Sequence, residues 1–303
     1  MPSPIRTWLQ LFRAPNLFTV PGDPLAGYLL ASYGALEPLI FLPIAASLCF
    51  YAGGLLLNDL ADLAEDRAER PGRPLPSGAA SRAAVVVVML ALAIGGLVLS
   101  AAAGAWTLGM GAALLLAIVS YNMGGKRVPV FGALNMGLCR GLSLLLGATA
   151  VPHGDLTIRL MLAGRLDWLA IAFVLVTLYI AAVTNLARFE TKATAPGFAK
   201  WLPAAAIAAG GVKFLPLVSA PNRIPTFALF LLAFFVSAQA AWDLARDPQR
   251  PLPPTIGTLI RLLLVLQAAF CASTGDWPGS VTTALLIVLW PISRAVGKRF
   301  YAS

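Results

Sequence analysis

FLPIAASLCFYAGGLLLNDLADLAEDRAERPGRPLPSG, residues 41–78, opens as an apolar run and closes as a polar segment in which acid is followed by base. From Asn58 onward it holds five carboxylates, five prolines or glycines and three arginines. The apolar half is long enough for a membrane-crossing helix, which needs about 20 residues. Runs of the same kind recur at approximately 17–35, 38–58, 83–103, 105–121, 131–151, 168–185, 201–220, 225–242, 256–273 and 278–295. This pattern predicts an all-α, multi-pass membrane protein of nine or ten spans, the count resting on the last three runs, which are short or interrupted. Composition agrees: of 303 residues 59% are hydrophobic and 12% charged, with a mean hydropathy of +0.81. A soluble domain has a different balance.

Polar connections reach only about 66–82, 152–167, 186–200 and 243–255, too short for a soluble domain, so residues 1–303 form one membrane domain. Met1 to Arg13 is mildly amphipathic and lacks a cleavable leader's apolar core and small-residue site, so the first span is expected to stay. Cys49, Cys139 and Cys271 sit singly in apolar runs, which implies neither a disulfide nor a zinc site. His153 is the only histidine, which excludes a multi-histidine metal or haem site.

The net charge of +9 is a matter of placement. Most Lys and Arg lie at the termini and in the loops after spans two, four, six and eight, while Arg159, Arg165 and Arg223 fall on the other side. By the positive-inside rule both termini are cytoplasmic, which favours an even number of spans. The chain is thus expected in a cell membrane, the inner one in a bacterium. The charge sets topology, and neither nucleic acid nor an obligate protein partner is implied. Trp106, Trp168 and Trp277 fall near outer span ends and Trp201 and Trp242 near inner ones, as interfacial anchors would.

On a helix Asn58, Asp62 and Asp66 sit at i, i+4 and i+8 on one face, with Asp59 about 60° from Asp62. Oxygen donors so placed suit Mg²⁺, which takes one or two carboxylates and completes its octahedron with water and substrate phosphates. Arg70 and Arg73 follow in a Pro/Gly-rich turn, where they could grip the same phosphates in bidentate fashion. A metal-bound polyanion between them explains why acid and base coexist. Pairing of the carboxylates with Arg67 and Arg70 at i+4 spacing is the plainer account. It leaves the acids' start at a span's end unexplained.

NDxxDxxxD followed by RPxRPLPSG resembles the first aspartate-rich motif of the UbiA superfamily of intramembrane prenyltransferases. The resemblance implies about nine helices around a central cavity, and two cytoplasmic acidic motifs that bind Mg²⁺ and an isoprenyl diphosphate. It assigns the metal to Asn58, Asp59, Asp62 and Asp66. Tyr121, Lys126 and Arg127 are similar to the family's tyrosine-then-lysine loop, whose cations contact the diphosphate. The tyrosine-to-lysine gap here is a residue longer than usual. Arg140, about 14 Å along a span that begins near Phe131, resembles the family's fifth-helix arginine. An ion pair with an acid of a neighbouring helix would account for it equally well. Arg13 and Asn16 are similar to the family's RxxN start, and Asp23, between Pro21, Gly22 and Pro24, marks a kink. Asp23 is read either as a base for the acceptor or as a partner for the broken backbone. With Asp62, Asp66, Lys126 and Arg140 the resemblance also implies the catalytic set.

The family's second motif, often NxxRDxxxD, reads TNLARFETKATAP here. Asn185 and Arg188 match, Phe189 and Ala193 replace the aspartates, and Glu190 is the one nearby acid, a candidate metal ligand. Lys192 adds a candidate diphosphate contact. This departure resembles the EboC-like branch of the superfamily. The implied reaction transfers an isoprenyl group from a polyprenyl diphosphate to a lipophilic acceptor, with membrane lipid around it. A non-catalytic carrier of isoprenoid lipids using the same cavity is the alternative.

Overall fold

Apolar segments that cannot bond water satisfy their backbone groups internally, and in lipid that means helices or closed barrels. The computed structural model describes residues 4–152, 166–190 and 196–300, which are helices joined by turns. The long helices are α4 (Phe41–Ala61), α6 (Arg82–Ala103), α7 (Ala105–Asn122), α8 (Phe131–Ala148), α9 (Leu166–Ala187), α11 (Ala220–Arg246), α12 (Leu252–Thr274) and α13 (Trp277–Phe300). Helix α10 (Leu202–Phe214) is lengthened at both ends by 3-10 turns, Gly197–Trp201 and Leu215–Leu217. Shorter pieces are α1 (Pro4–Leu11), α2 (Ala14–Leu17), α3 (Gly22–Ser32) and α5 (Leu63–Glu69). Nine stretches among the described residues are long and apolar enough to cross a membrane. The chain is a multi-pass integral membrane protein.

The first expected span, 17–35, is not one helix. It breaks between α2 and α3, where Pro21 and Pro24 lack N–H groups and free carbonyls upstream. The two pieces still run the length of α4, since Arg13 reaches Asp59 at one end of that helix and a short turn after Tyr33 leads to its other end. Nine stretches long and apolar enough to cross, together with this broken segment, account for the ten apolar runs. Trp168 also departs from expectation: it is 6% exposed, with its ring edge-on to Phe214 at 5.5 Å. The start of α9 packs into the main apolar core instead of meeting the headgroups. Trp106 and Trp277 are exposed, as anchors should be.

Helix α12 is the buried column of the bundle, with Leu262 to Phe270 enclosed throughout. Phe270 meets Phe214 and Phe230 in edge or tilted ring contacts 5.2–5.9 Å apart. Helices α6 and α13 turn Val87, Ile94, Val98, Leu285 and Val288 outward, toward lipid. Small residues let α8 approach its neighbours closely. A Cβ on Gly147 would lie 1.9 Å from the Pro24 carbonyl oxygen of α3, and one on Gly137 2.0 Å from that of Thr177 on α9.

Candidate functional site

Helix α4 ends at Ala61, and Asp62 adopts φ −93°, ψ 4° before α5 begins. This is the sparsely populated bridge region where many active-site residues lie. The expected single helix is therefore interrupted at Asp62, yet the ladder survives: Asp62 N–H donates to the Asn58 carbonyl at 2.9 Å and Asp66 N–H to that of Asp62 at 2.8 Å. The backbone thus runs on from α4 into α5. Each acid already faces a cation. Lys126 Nζ donates to Asp62 Oδ1 at 2.5 Å and to Asn58 Oδ1 at 3.1 Å. Arg73 Nη1 meets both oxygens of the buried Asp66 carboxylate, at 2.9 and 2.7 Å, and Arg70 stands 3.9 Å from it. Asp59 pairs with Arg13 at 3.5 Å.

Lys126 reaches this point from a tight loop. A 3-10 turn covers Gly125–Arg127, and a Cβ on Gly132 would fall 2.8 Å from the Lys126 Cα, so the loop folds directly onto the start of α8. Val130 has φ 66°, ψ −54°, and Phe131 N–H donates to the Pro129 carbonyl at 2.7 Å. This is the strained, positive-φ form of the γ-turn, rare for any residue and rarer for a β-branched one. Arg127 is exposed on the same loop. Arg13, at the junction of α1 and α2, is also held at positive φ, 44°.

Below these charges lies a cavity, open on one side, lined by α4, α7, α8 and the broken first span. Asn58, Tyr121, Asn122 and Arg13 stand at its charged end, and Phe50, Leu55, Leu114, Ile118, Met136 and Val20 make its walls apolar. Arg140 lines the cavity beside the Tyr51 ring, 5.9 Å from its centroid. Its Nε also lies 2.8 Å from Asp23 Oδ2, and its Nη2 donates to the Thr19 carbonyl at 2.7 Å. Gln267 Nε2 donates to the same carbonyl at 2.9 Å and to Asp23 Oδ1 at 2.6 Å. Asp23 is fully buried and is not among the residues lining the cavity; it balances Arg140, while Arg140 and Gln267 satisfy the Thr19 carbonyl. Asn16 is buried in α2.

The second motif follows α9. Asn185 and Arg188 are half-buried at its end, and Glu190 is exposed in the turn beyond. Desolvation raises the Glu190 carboxyl above its ordinary range, and the Arg70 guanidinium opposes that rise. Lys192 lies outside the described residues. The sequence reading missed Thr19, Gln267 and Arg261. The last is a buried arginine in α12 whose guanidinium folds back toward Gly257. A lone Gln or Arg within an apolar run was the available signal.

The donor set was tested for Mg²⁺ on these contacts. Asn58 and Asp62 direct oxygens onto one positive charge, now that of Lys126, and Asp66 lies one turn further on. No three acids cluster among the described residues. Two or three protein oxygens fit an ion that completes its shell with water and phosphate oxygens, and they do not make a closed all-protein cage.

Acids and cations thus lie beside an apolar cavity in a helical membrane bundle. The UbiA prenyltransferase family model matches residues 24–251, and the chain belongs to that family. It is 29% identical over 149 residues to the digeranylgeranylglyceryl phosphate synthase of Sulfolobus acidocaldarius, covering 48% of this chain and 53% of that protein. The synthase of Methanoculleus marisnigri is 28% identical over 159 residues, 52% of this chain and 57% of that one. The alignment spans about half the length of these curated relatives. Among solved structures, the apo UbiA homologue of Aeropyrum pernix K1 superposes with TM-score 0.67 at 18% identity, over 84% of this chain and 96% of that one. The Archaeoglobus fulgidus homologue bound to GPP and Mg²⁺ gives 0.62 at 15% identity, over 95% and 99%. These likenesses establish the fold.

Proposed function

We propose that this chain is a Mg²⁺-dependent intramembrane prenyltransferase that moves an isoprenyl group from a polyprenyl diphosphate to a lipophilic acceptor. The observation that carries the reading is the junction of two environments: Arg13 and Asn58 line one end of an apolar cavity, Lys126 joins Asn58 to Asp62 there, and Asp66 with Arg73 and Arg70 follows one turn along the chain. An amphiphile with a polyanionic head and a hydrocarbon tail matches both. The curated relatives' names and the GPP and Mg²⁺ of the Archaeoglobus homologue support it.

In this reading Asn58, Asp62 and Asp66 hold Mg²⁺, with Asp59 beside them. The ion supplies Lewis-acid stabilisation of the leaving diphosphate. Lys126, Arg70 and Arg73 leave their carboxylates for phosphate oxygens, and Arg127, Arg188 and Lys192 add positive charge around them. Fixed cations aimed at developing negative charge typically contribute about 10²- to 10³-fold each. Arg140 presents a cation to the cavity, where Tyr121 and Asn16 would contact the acceptor or its path. The head group sits on the cytoplasmic side with both termini, as the distribution of Lys and Arg indicates.

The incomplete second motif favours one other reading, an isoprenoid-lipid carrier that binds in the same place without chemistry. Release of diphosphate from a labelled prenyl diphosphate, in purified membranes with a panel of acceptors, separates the two. The metal assignment is tested by Asp62→Ala: Mg²⁺-dependent binding of geranyl diphosphate should weaken at least ~10- to 100-fold, a loss that even outer-shell metal partners cause. Unchanged Mg²⁺-dependent affinity in the folded variant would refute it.

A further inference from the structure

The α4 wall of the cavity is a single helical stripe, Ser47, Phe50, Tyr51, Gly54, Leu55 and Asn58. Its spacing of three and four residues keeps one face turned inward. From Asn58 to Ser47 the stripe runs about 16 Å at 1.5 Å per residue. At the far end the Ser47 and Ser143 hydroxyls bond to each other at 2.6 Å, which ties α4 to α8 and leaves their polar atoms satisfied. The Phe50 ring stands just before this clasp and is 1% exposed.

The ring is held by two absences. A Cβ on Gly96 of α6 would sit 2.6 to 2.8 Å from three Phe50 ring carbons. A Cβ on Gly111 of α7 would lie 3.4 Å from a fourth. Phe50 thus fills a notch between α6 and α7 that glycine alone leaves open, and any bulk at Gly96 must push the ring toward the cavity. Removing the ring would extend the cavity into the notch.

We infer that Phe50, seated on Gly96 and Gly111, is the floor that sets the length of prenyl chain the cavity accepts. This rests on the proposed donor, whose diphosphate lies at Asn58 and whose tail runs down the α4 stripe. It adds a specificity residue outside every recognised motif. The floor can be moved in either direction, by enlarging the notch or by filling it.

The test compares Mg²⁺-dependent binding of geranyl, farnesyl and geranylgeranyl diphosphate to wild-type protein, Phe50→Ala, Phe50→Leu and Gly96→Ala in detergent. Phe50→Ala should raise the affinity ratio of geranylgeranyl over geranyl diphosphate by at least tenfold, about what the fit of a single methylene is worth in an apolar pocket. Gly96→Ala should lower the same ratio. Where Phe50→Ala fails to fold, Phe50→Leu keeps more volume and should shift the ratio in the same direction. Wild-type ratios in folded Phe50 and Gly96 variants overturn the floor while leaving the donor reading intact. A wild-type protein that binds none of the three diphosphates with Mg²⁺ overturns the donor reading and the floor with it.

Discussion

Replacing Arg140 with methionine removes the cation that, among the described residues, pairs with Asp23. The carboxylate is fully buried, and its partners are Arg140 Nε at 2.8 Å and Gln267 Nε2 at 2.6 Å. Without the guanidinium a single neutral donor remains, and the Thr19 carbonyl keeps only Gln267. Breaking a buried pair from one side costs about 3–5 kcal/mol, because the surviving charge has no counterion. At roughly 2–4 °C per kcal/mol for a large domain, the apparent Tm should fall on the order of 10 °C. The assay is thermal unfolding in detergent at one fixed scan rate, since membrane bundles seldom refold and the midpoint depends on rate. The double variant Asp23→Leu/Arg140→Met removes both charges and should recover more than half of the loss, through coupling between contacting residues. A single variant within about 2 °C of wild type, well below the shift expected for an unpaired buried charge, would refute the pairing argument. So would a double variant whose loss equals the sum of the singles.

Two further predictions concern the charged face. Glu190→Ala should reduce diphosphate release only mildly and Arg188→Ala severely, because a lone displaced glutamate is poorly placed for octahedral Mg²⁺ whereas an arginine can screen phosphate charge. Release and product formation measured together check this, and a dead Glu190→Ala beside an active Arg188→Ala would reverse it. Single cysteines at Ser77 and Thr194 should label from the cytoplasmic side and one at Asp155 from outside. Labelling of Ser77 and Thr194 from opposite sides would divide the proposed site.

What could be read in advance follows from which constraints are local. A bilayer forces about 20 apolar residues per crossing, so the spans and their order were legible. The spacing of Asn58, Asp62 and Asp66 is local too, and i to i+4 bonds carry the backbone through the break at Asp62, while the side chains of Asp62 and Asp66 go to different cations. Pro21, Gly22 and Pro24 announced a kink, though not that two separate helices would result. The Arg70 partner of Asp66 was legible as an i+4 pair, whereas those of Asp62 and Asp59 were hidden, because Lys126 is 64 positions from Asp62 and Arg13 is 46 from Asp59. The node around Thr19 was least visible of all. A freed carbonyl has no letter in the sequence, and Gln267 finds it across 248 residues. The burial of Trp168 likewise depends on where Phe214 lies, which composition cannot say.

The glycines of α8 carry one more consequence. With Gly147 seated on the Pro24 carbonyl and Gly137 on that of Thr177, α8 touches backbone on two sides and has no slack in which to slide. It serves the bundle as a fixed reference bar. Arg140, one turn from the Gly137 contact and two from that of Gly147, is a fixed electrode, whereas Lys126 lies just ahead of the bar on a strained loop. The charge deep in the wall is thereby tied to the backbone of two neighbouring helices.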